Sequence, residues 1–245
     1  MNTYRTELHV HTVLSPCAAV EMIPPLIINT AIEKGINLLA ITDHNASDNI
    51  AAVQKAAEGT DITVLPGMEL QTREEIHSIC LFDSLEQVYE FQSIVNQLLP
   101  DIKNDPDYFG EQFIVDAIGD FIRREERLLV TSANLSLSEA LEKVNQLEGI
   151  LIPAHVDRTA YGLLPVLGFV PTDIPLEVLE ITHHVNAKAA REKFPQLEHY
   201  QLISNGDAHQ LDSILGITSF NMHAPTITEI RLAIRGDGNR SMSLK

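Results

Sequence analysis

The chain has 245 residues, with 34 acidic against 17 basic side chains, a formal charge of −17 at pH 7 and 44% hydrophobic content. That composition supports the buried core of one large or two small domains, and it argues against the broad basic surface that grips long nucleic acids. Cys17 and Cys80 cannot build a disulfide framework, residues 1–12 lack the apolar core of a signal peptide, and no apolar run approaches the ~20 residues needed to cross a bilayer, so a cytoplasmic protein with no membrane partner is expected.

In chain order, residues 5–11 read as a strand. Residues 24–34 read as a helix with proline in its first turn and Gly35 after its end. Residues 36–42 (INLLAIT) form a continuous apolar run, as in a parallel strand covered on both faces, and the run stops at Asp43-His44-Asn45. A helix over 47–58 ends at Gly59, and a strand over 62–65 leads through Pro66-Gly67 to Glu69. This β-α-β-α-β order predicts a parallel sheet. Residues 75–82 read as a strand and 84–98 as a helix with Ser84 at its N-cap. Residues 101–131 turn polar and charged, and are expected to form an insertion after the third or fourth strand within a single domain. Parallel order then resumes. Ser136 and Glu139 form a capping-box pattern at the head of a helix over 136–147, followed by a strand over 150–152. Strands over 178–181 and 202–204 flank a helix over 187–194, and a helix near 228–234 is expected to close the chain.

The polar residues fall where the apolar runs end. His9 and His11, two apart, share one side of the first strand; Asp43 and His44 follow the second, Glu69 the third, His155 the one after the insertion, and Asp207 and His209 the last. In a β/α barrel the strand C-termini open on one face, which carries the active site, so these residues would converge there. Imidazole with carboxylate suits Zn, Mn or Fe, whereas Mg or Ca would call for more oxygens.

The motifs HVHT (9–12), TDHN (42–45), GMEL with a later EIHS (67–70, 75–78), AHVDR (154–158) and NGDAH (205–209) resemble, in order, those of the PHP family, metal-dependent phosphoesterases named for polymerase and histidinol phosphatase. The resemblance implies an α/β fold, a distorted TIM-like barrel of seven β/α units, holding two to three divalent ions. His9, His11, Glu69 and Asp207 are then ligands of a first ion. Glu69 bridges to a second held by His77 and His155, and His44 and His209 belong to a third. The chain departs from the family pattern after HVHT: Ser15 is followed by Pro16 where many relatives carry an acidic residue, and Cys17 stands where some carry a histidine. Either Cys17 or Glu21 could complete the third site; alternatively, Cys17 is a buried apolar residue.

The implied chemistry is hydrolysis of a phosphate mono- or diester, with two ions about 3.5–4 Å apart activating a hydroxide for in-line attack at phosphorus. Arg158 is the candidate clamp for the phosphate. Proton delivery to the leaving group falls to Asp43 or to a metal-bound water, and Asp43 is equally a partner that orients a ligand histidine. The pair His183-His184 lies on the same face, either as polar loop residues or, for His184, as a substrate contact. The expected substrate is a small phosphorylated metabolite or a short nucleotide, with histidinol phosphate and phosphotyrosine as candidates within the family. A module that binds metal without turnover is the alternative. Cys80 reads as core, the run 123–127 as a solvated face, and His199 and His223 as ordinary surface or core residues.

Overall fold

The structure, a computed structural model, describes residues 1–245. In chain order it runs β1 (Asn2–Val10), α1 (Pro24–Glu33), β2 (Leu38–Ile41), α2 (Ile50–Ala56), β3 (Thr63–Gln71), β4 (His77–Leu81), α3 (Leu85–Leu98), α4 (Pro106–Phe109), β5 (Phe113–Val115) and β6 (Phe121–Arg124). It continues with α5 (Leu137–Gln146), β7 (Ile150–Pro153), α6 (Leu163–Leu167), β8 (Val178–Thr182), α7 (Ala187–Lys193), β9 (Gln201–Asn205), β10 (Thr218–Met222), α8 (Ile227–Arg235) and β11 (Ser241–Leu244).

The main sheet has seven strands in the order β11-β10-β1-β2-β3-β4-β7. The β1, β2 and β3 ladders are parallel, as the alternation of apolar runs and helices predicts. The expected parallel order fails at β4, which lies antiparallel to both β3 and β7. The reason is the connection: residues 72–76 are too few for a crossover, which needs a dozen or more, so the chain can only turn back on itself. The C-terminal end also departs from expectation, because β10 pairs antiparallel with β1, and β11 follows α8 and pairs antiparallel with β10. The ladders thus do not form seven uniform β/α units. β8 and β9 pair parallel as a separate two-stranded sheet. They fill the gap between β7 and β1, through Val156 N donating to Glu180 O (2.8 Å), Ala208 N to His9 O (2.9 Å) and His11 N to Ala208 O (3.0 Å).

Alternation along the strands separates two cores. Leu38 and Ala40 of β2, Ile79 and Leu81 of β4, Ile150 and Ile152 of β7, Val178 of β8 and Ile203 of β9 share one buried cluster, which Ile227, Ile230 and Ile234 of α8 also join. Leu39 and Ile41, Cys80, Leu151, Leu179 and Leu202 point the other way, into the larger cluster formed with the surrounding helices. Cys80 is accordingly core. The capping boxes at Ser84–Gln87 and Ser136–Glu139 start α3 and α5.

Residues 101–131 carry the short α4 and the antiparallel hairpin β5–β6. All four β6 residues are exposed, and Arg123 pairs with Asp48 and Arg124 with Glu111, so the charged run is a solvated face. The segment is also tied to the site: Asn45 Nδ2 donates to the carbonyls of Leu129 (2.7 Å) and Thr131 (2.8 Å). No helix is long and apolar enough to cross a membrane.

Candidate metal centre

Glu69 lies on β3, fully buried, at the centre of the site. Its carboxylate is 3.2 Å from His9 Nε2, 3.3 Å from His11 Nε2, 2.9 Å from His44 Nδ1, 2.9 Å from His77 Nδ1 and 3.2 Å from His155 Nε2. Asp207 Oδ1 stands opposite, 3.3 Å from both His9 Nε2 and His11 Nε2 and 3.4 Å from His209 Nδ1.

Local chain geometry makes this convergence possible. The β1–β2 register shifts between Glu7 and Val10, where Leu8 joins the interior core and Val10 the helix-side core, and His9 and His11 face the cluster. His44 bridges to Glu69, with Glu69 N donating to Asp43 O at 3.1 Å and Asn45 N to Glu69 O at 2.9 Å. His155 (φ 31°) and Asp207 (φ 48°) adopt positive φ, a strained conformation for residues with side chains and one that concentrates at functional sites. Gly206, just before Asp207, allows no side chain, because a Cβ would fall 1.6 Å from the Ser213 carbonyl oxygen.

Two further carboxylates stand behind the histidines. Glu180, in the middle of the apolar strand β8, lies 3.0 Å from His9 Nδ1 and accepts from His155 N (2.9 Å) and Asn205 Nδ2 (2.8 Å). Because a carboxylate only accepts, His9 keeps a proton on Nδ1, so Nε2, on the Glu69 side, is the nitrogen that becomes a lone pair when the imidazolium gives up its second proton. Asp43 accepts from Thr12 N, Thr12 Oγ1 and Ser15 Oγ, each at 2.7 Å. Ser15 gives its one proton to Asp43, so it accepts from His11 Nδ1 at 2.9 Å, and Nε2, on the cluster side, is the His11 nitrogen that frees a lone pair on deprotonation. Asp43 is wholly buried and does not face the cluster. Glu180 carries no motif, but a lone Glu inside an apolar run was a usable signal, since a carboxylate is not buried without partners.

The electrostatics are those of a chain without ions. Burial opposes charge on His11, but the carboxylates of Asp207 and Glu69, each 3.3 Å from its Nε2, outweigh it and lift the group to about 9. Burial is likewise overcome at His44, where the Glu69 charge lifts it to about 9, and at His9, which Glu180, Glu69 and Asp207 raise well above the ordinary imidazole value. Burial wins at His77, pushed down to about 4, and, with the His11 charge, at His209, pushed down to about 3. Glu69 and Asp207 are held well below the carboxylate range by the surrounding histidines, against the effect of burial.

Whether this side-chain set suits cations is tested by its unmet valences. His9 Nε2, His11 Nε2, His44 Nδ1, both His77 nitrogens, Glu69 Oε2 and Asp207 Oδ1 are buried without a hydrogen-bond partner. Buried polar atoms are rarely left so, and here they aim at one another, as ligands around ions do. Three overlapping groups bring their ligand atoms within 4.8 Å: His9, His11, Glu69 and Asp207; His44, Glu69 and His77; and His11, His44 and His209. His155 adjoins through Glu69.

Around the rim, Arg158 Nη1 donates to Asp207 Oδ2 at 2.7 Å, and its side chain stays 39% exposed. It does not pair with Asp157, which instead accepts from Thr182 N (2.8 Å) and Thr182 Oγ1 (2.7 Å). A pocket of about 410 Å³ is lined by Arg158, His183, His184, Asp207 and Ser213 among others. A second recess of about 220 Å³ is lined by Cys17, His44, His77, Arg158, Tyr161 and His209. Cys17 is exposed rather than buried, and lies against His44. Glu21 is exposed and lines neither recess. Sequence reasoning passed over Ser15, Tyr161, Glu180 and Asn205.

Buried carboxylates ringed by histidines, all on strand ends and the loops beside them, define a site whose side chains could hold divalent metal. The chain belongs to the PHP family: the PHP domain profile matches residues 7–227. No sequence match was found among curated proteins. Among solved structures, the chain is similar to the lesion-specific endonuclease Q of Pyrococcus furiosus (22% identity, TM-score 0.70), covering 98% of this chain and 58% of that one. It is also similar to endonuclease Q in complex with a 27-mer duplex bearing an abasic lesion at the active site (21% identity, TM-score 0.70, 96% and 57% covered). A chain from Bifidobacterium adolescentis, assigned as a metal-dependent phosphoesterase, matches at 17% identity and TM-score 0.56, with 84% and 87% covered. The present chain thus spans little more than half the length of endonuclease Q.

These similarities correct one expectation. The charge of −17 was read as arguing against long nucleic acids, yet this fold serves in an endonuclease bound to duplex DNA. Net charge averages over the whole surface, whereas a phosphate backbone answers to the local field of a site, which bound cations dominate.

Proposed function

We propose that this chain is a metal-dependent hydrolase of phosphate esters, acting on mono- or diesters. The observation that carries the reading is the set of buried, unpartnered nitrogen and carboxylate atoms around Glu69 and Asp207. In this reading His9, His11, Glu69 and Asp207 hold one ion, and Glu69, His77 and His155 hold a second. His44 and His209 serve a third, at whose edge Cys17 stands. Bound divalent ions supply Lewis acidity, lowering the pKa of a water towards about 7 and neutralising charge that develops on the phosphoryl oxygens.

The side chains do the rest. Glu180 and Ser15 keep the protons of His9 and His11 on the far side of each ring, so both imidazoles offer lone pairs without rotating. Arg158, tied to Asp207 by one nitrogen, keeps further N–H groups free to grip two phosphoryl oxygens at once. Asp43 acts as the support of Ser15 and Thr12, its acceptor capacity already engaged. His184 lines the pocket where the ester's remainder would lie.

The test is turnover of p-nitrophenyl phosphate, its bis-ester and a duplex oligonucleotide with an abasic site, each with Mn or Zn added. Hydrolysis of at least one, abolished by chelator and restored by metal, is expected. A loaded cluster with no turnover of any of the three would overturn the reading in favour of a non-catalytic metal-binding module.

A further inference from the structure

The chain between His155 and Gly162 is a rigid strap across the mouth of the centre. At one end His155 N donates to Glu180, and Asp157 is locked to Thr182. Inside the strap Arg158 N donates to His155 O at 2.9 Å. A Cβ on Gly162 would fall 2.2 Å from the Arg158 carbonyl oxygen, so the close return is open only to glycine. At the other end His77 N donates to Tyr161 O at 3.0 Å. The strap therefore delivers two side chains to opposite sides of the cluster: Arg158 to Asp207, and Tyr161 to His77.

Tyr161 is held with unusual care. Its φ is +61°, a conformation that an aromatic residue seldom adopts unless its surroundings impose it. Its ring stacks on the His77 imidazole at 4.4 Å and 5°. It is 38% exposed and lines the recess that also holds His44, His209 and Arg158. The hydrogen bonds that fix the strap run through His155, Asp157 and Arg158, and none takes in the Tyr161 hydroxyl. Asp43 is buried with its oxygens engaged, which leaves solvent or a side chain of this recess to protonate the departing group.

Resting on the phosphoester-hydrolase reading, we propose that Tyr161 is a catalytic residue whose phenol O–H protonates the leaving-group oxygen. The bond between phosphorus and that oxygen breaks as water's oxygen bonds to phosphorus. The Tyr161 proton passes to the departing oxygen, and the phenolate regains a proton from solvent, which has received the one lost by the attacking water. A phenol is a stronger acid than an alkanol, so transfer to a departing alkoxide is downhill. A good leaving group such as p-nitrophenolate needs little such help.

The experiment compares wild type with Tyr161→Phe on an alkyl phosphate and on p-nitrophenyl phosphate, with metal content and Tm measured alongside. The Phe variant retains the stacked ring and is expected to keep wild-type metal content and Tm. It should lose about 100-fold in kcat on the alkyl ester and much less, under about 5-fold, on the p-nitrophenyl ester. Equal losses on both esters, no loss on either, or a loss explained by missing metal would each overturn the role of Tyr161. Where the wild type turns over diesters only, the same comparison is made on the alkyl and p-nitrophenyl diesters; a wild type that turns over none of these esters, nor the abasic duplex, would instead overturn the hydrolase reading, and this proposal with it.

Discussion

Glu180 and Asp43 are both buried carboxylates behind the histidine cluster, yet Glu180 touches an imidazole directly and Asp43 reaches one only through Ser15. Glu180 also holds the backbone of His155 and the side chain of Asn205, so it fixes two of the clustered histidines, one on β1 and one just after β7. Asp43 instead organises the turn after β1, through Thr12 and Ser15. The difference teaches that one carboxylate orients the clustered imidazoles while the other builds the loop that follows one of them.

Glu69 lies between the two and sets the scale. Glu69→Gln should remove the shared ligand of two groups and abolish metal uptake at both, a fall in affinity well beyond the 10–100-fold typical of outer partners, read by titration calorimetry. Next comes Glu180→Gln, which turns an acceptor towards His9 into a group that can also donate; a loss of about 10–100-fold in metal affinity is expected. Asp43→Asn should lower metal affinity by less than about 10-fold while costing about 1–3 kcal/mol of stability in chemical denaturation, because buried hydrogen bonds of the loop are lost. If the Asp43 variant lost as much metal affinity as the Glu180 variant, the contrast between them would collapse.

A smaller effect concerns protons. In the ion-free chain His11 and His44 are raised from 6.5 to about 9 and His9 is raised well above 6.5, so all three are charged at pH 7 and must lose a proton before they can ligate. Metal uptake at pH 7 should therefore release about three protons, and affinity should climb with pH to about 9 and beyond. Calorimetry in buffers of different ionisation enthalpy reads this directly, and buffer-independent heats would contradict it. Because their values are raised on folding, the His11 and His44 charges favour the ion-free fold most below pH 6.5, and that support fades as pH rises through about 9.

Much of the ligand set was legible because function and strand ends coincide. His9, His11, His44, Glu69, His155, Asp207 and His209 all follow apolar runs, and the structure brings them to one place. The antiparallel β4 was legible too, had the short 72–76 connection been weighed against the length a crossover needs. The roles of Glu180 and Glu7 were harder, since the partners of each come from distant segments. Glu7 accepts from Gly206, Leu215 and Gly216, about 200 residues away, and burial pushes it up to about 7. Tyr161 carried no signal at all, because its place depends on a positive φ and a strap closed by Gly162. The overestimated part was net charge, a property of the whole surface applied to a local site.

The most direct test of the central claim is anomalous diffraction, at the metal edge, from crystals grown with Zn or Mn. The expected map has one peak among His9, His11, Glu69 and Asp207 and a second among Glu69, His77 and the histidines beside it. A map with metal elsewhere on the protein but no peak within ligand reach of Glu69 would contradict the account.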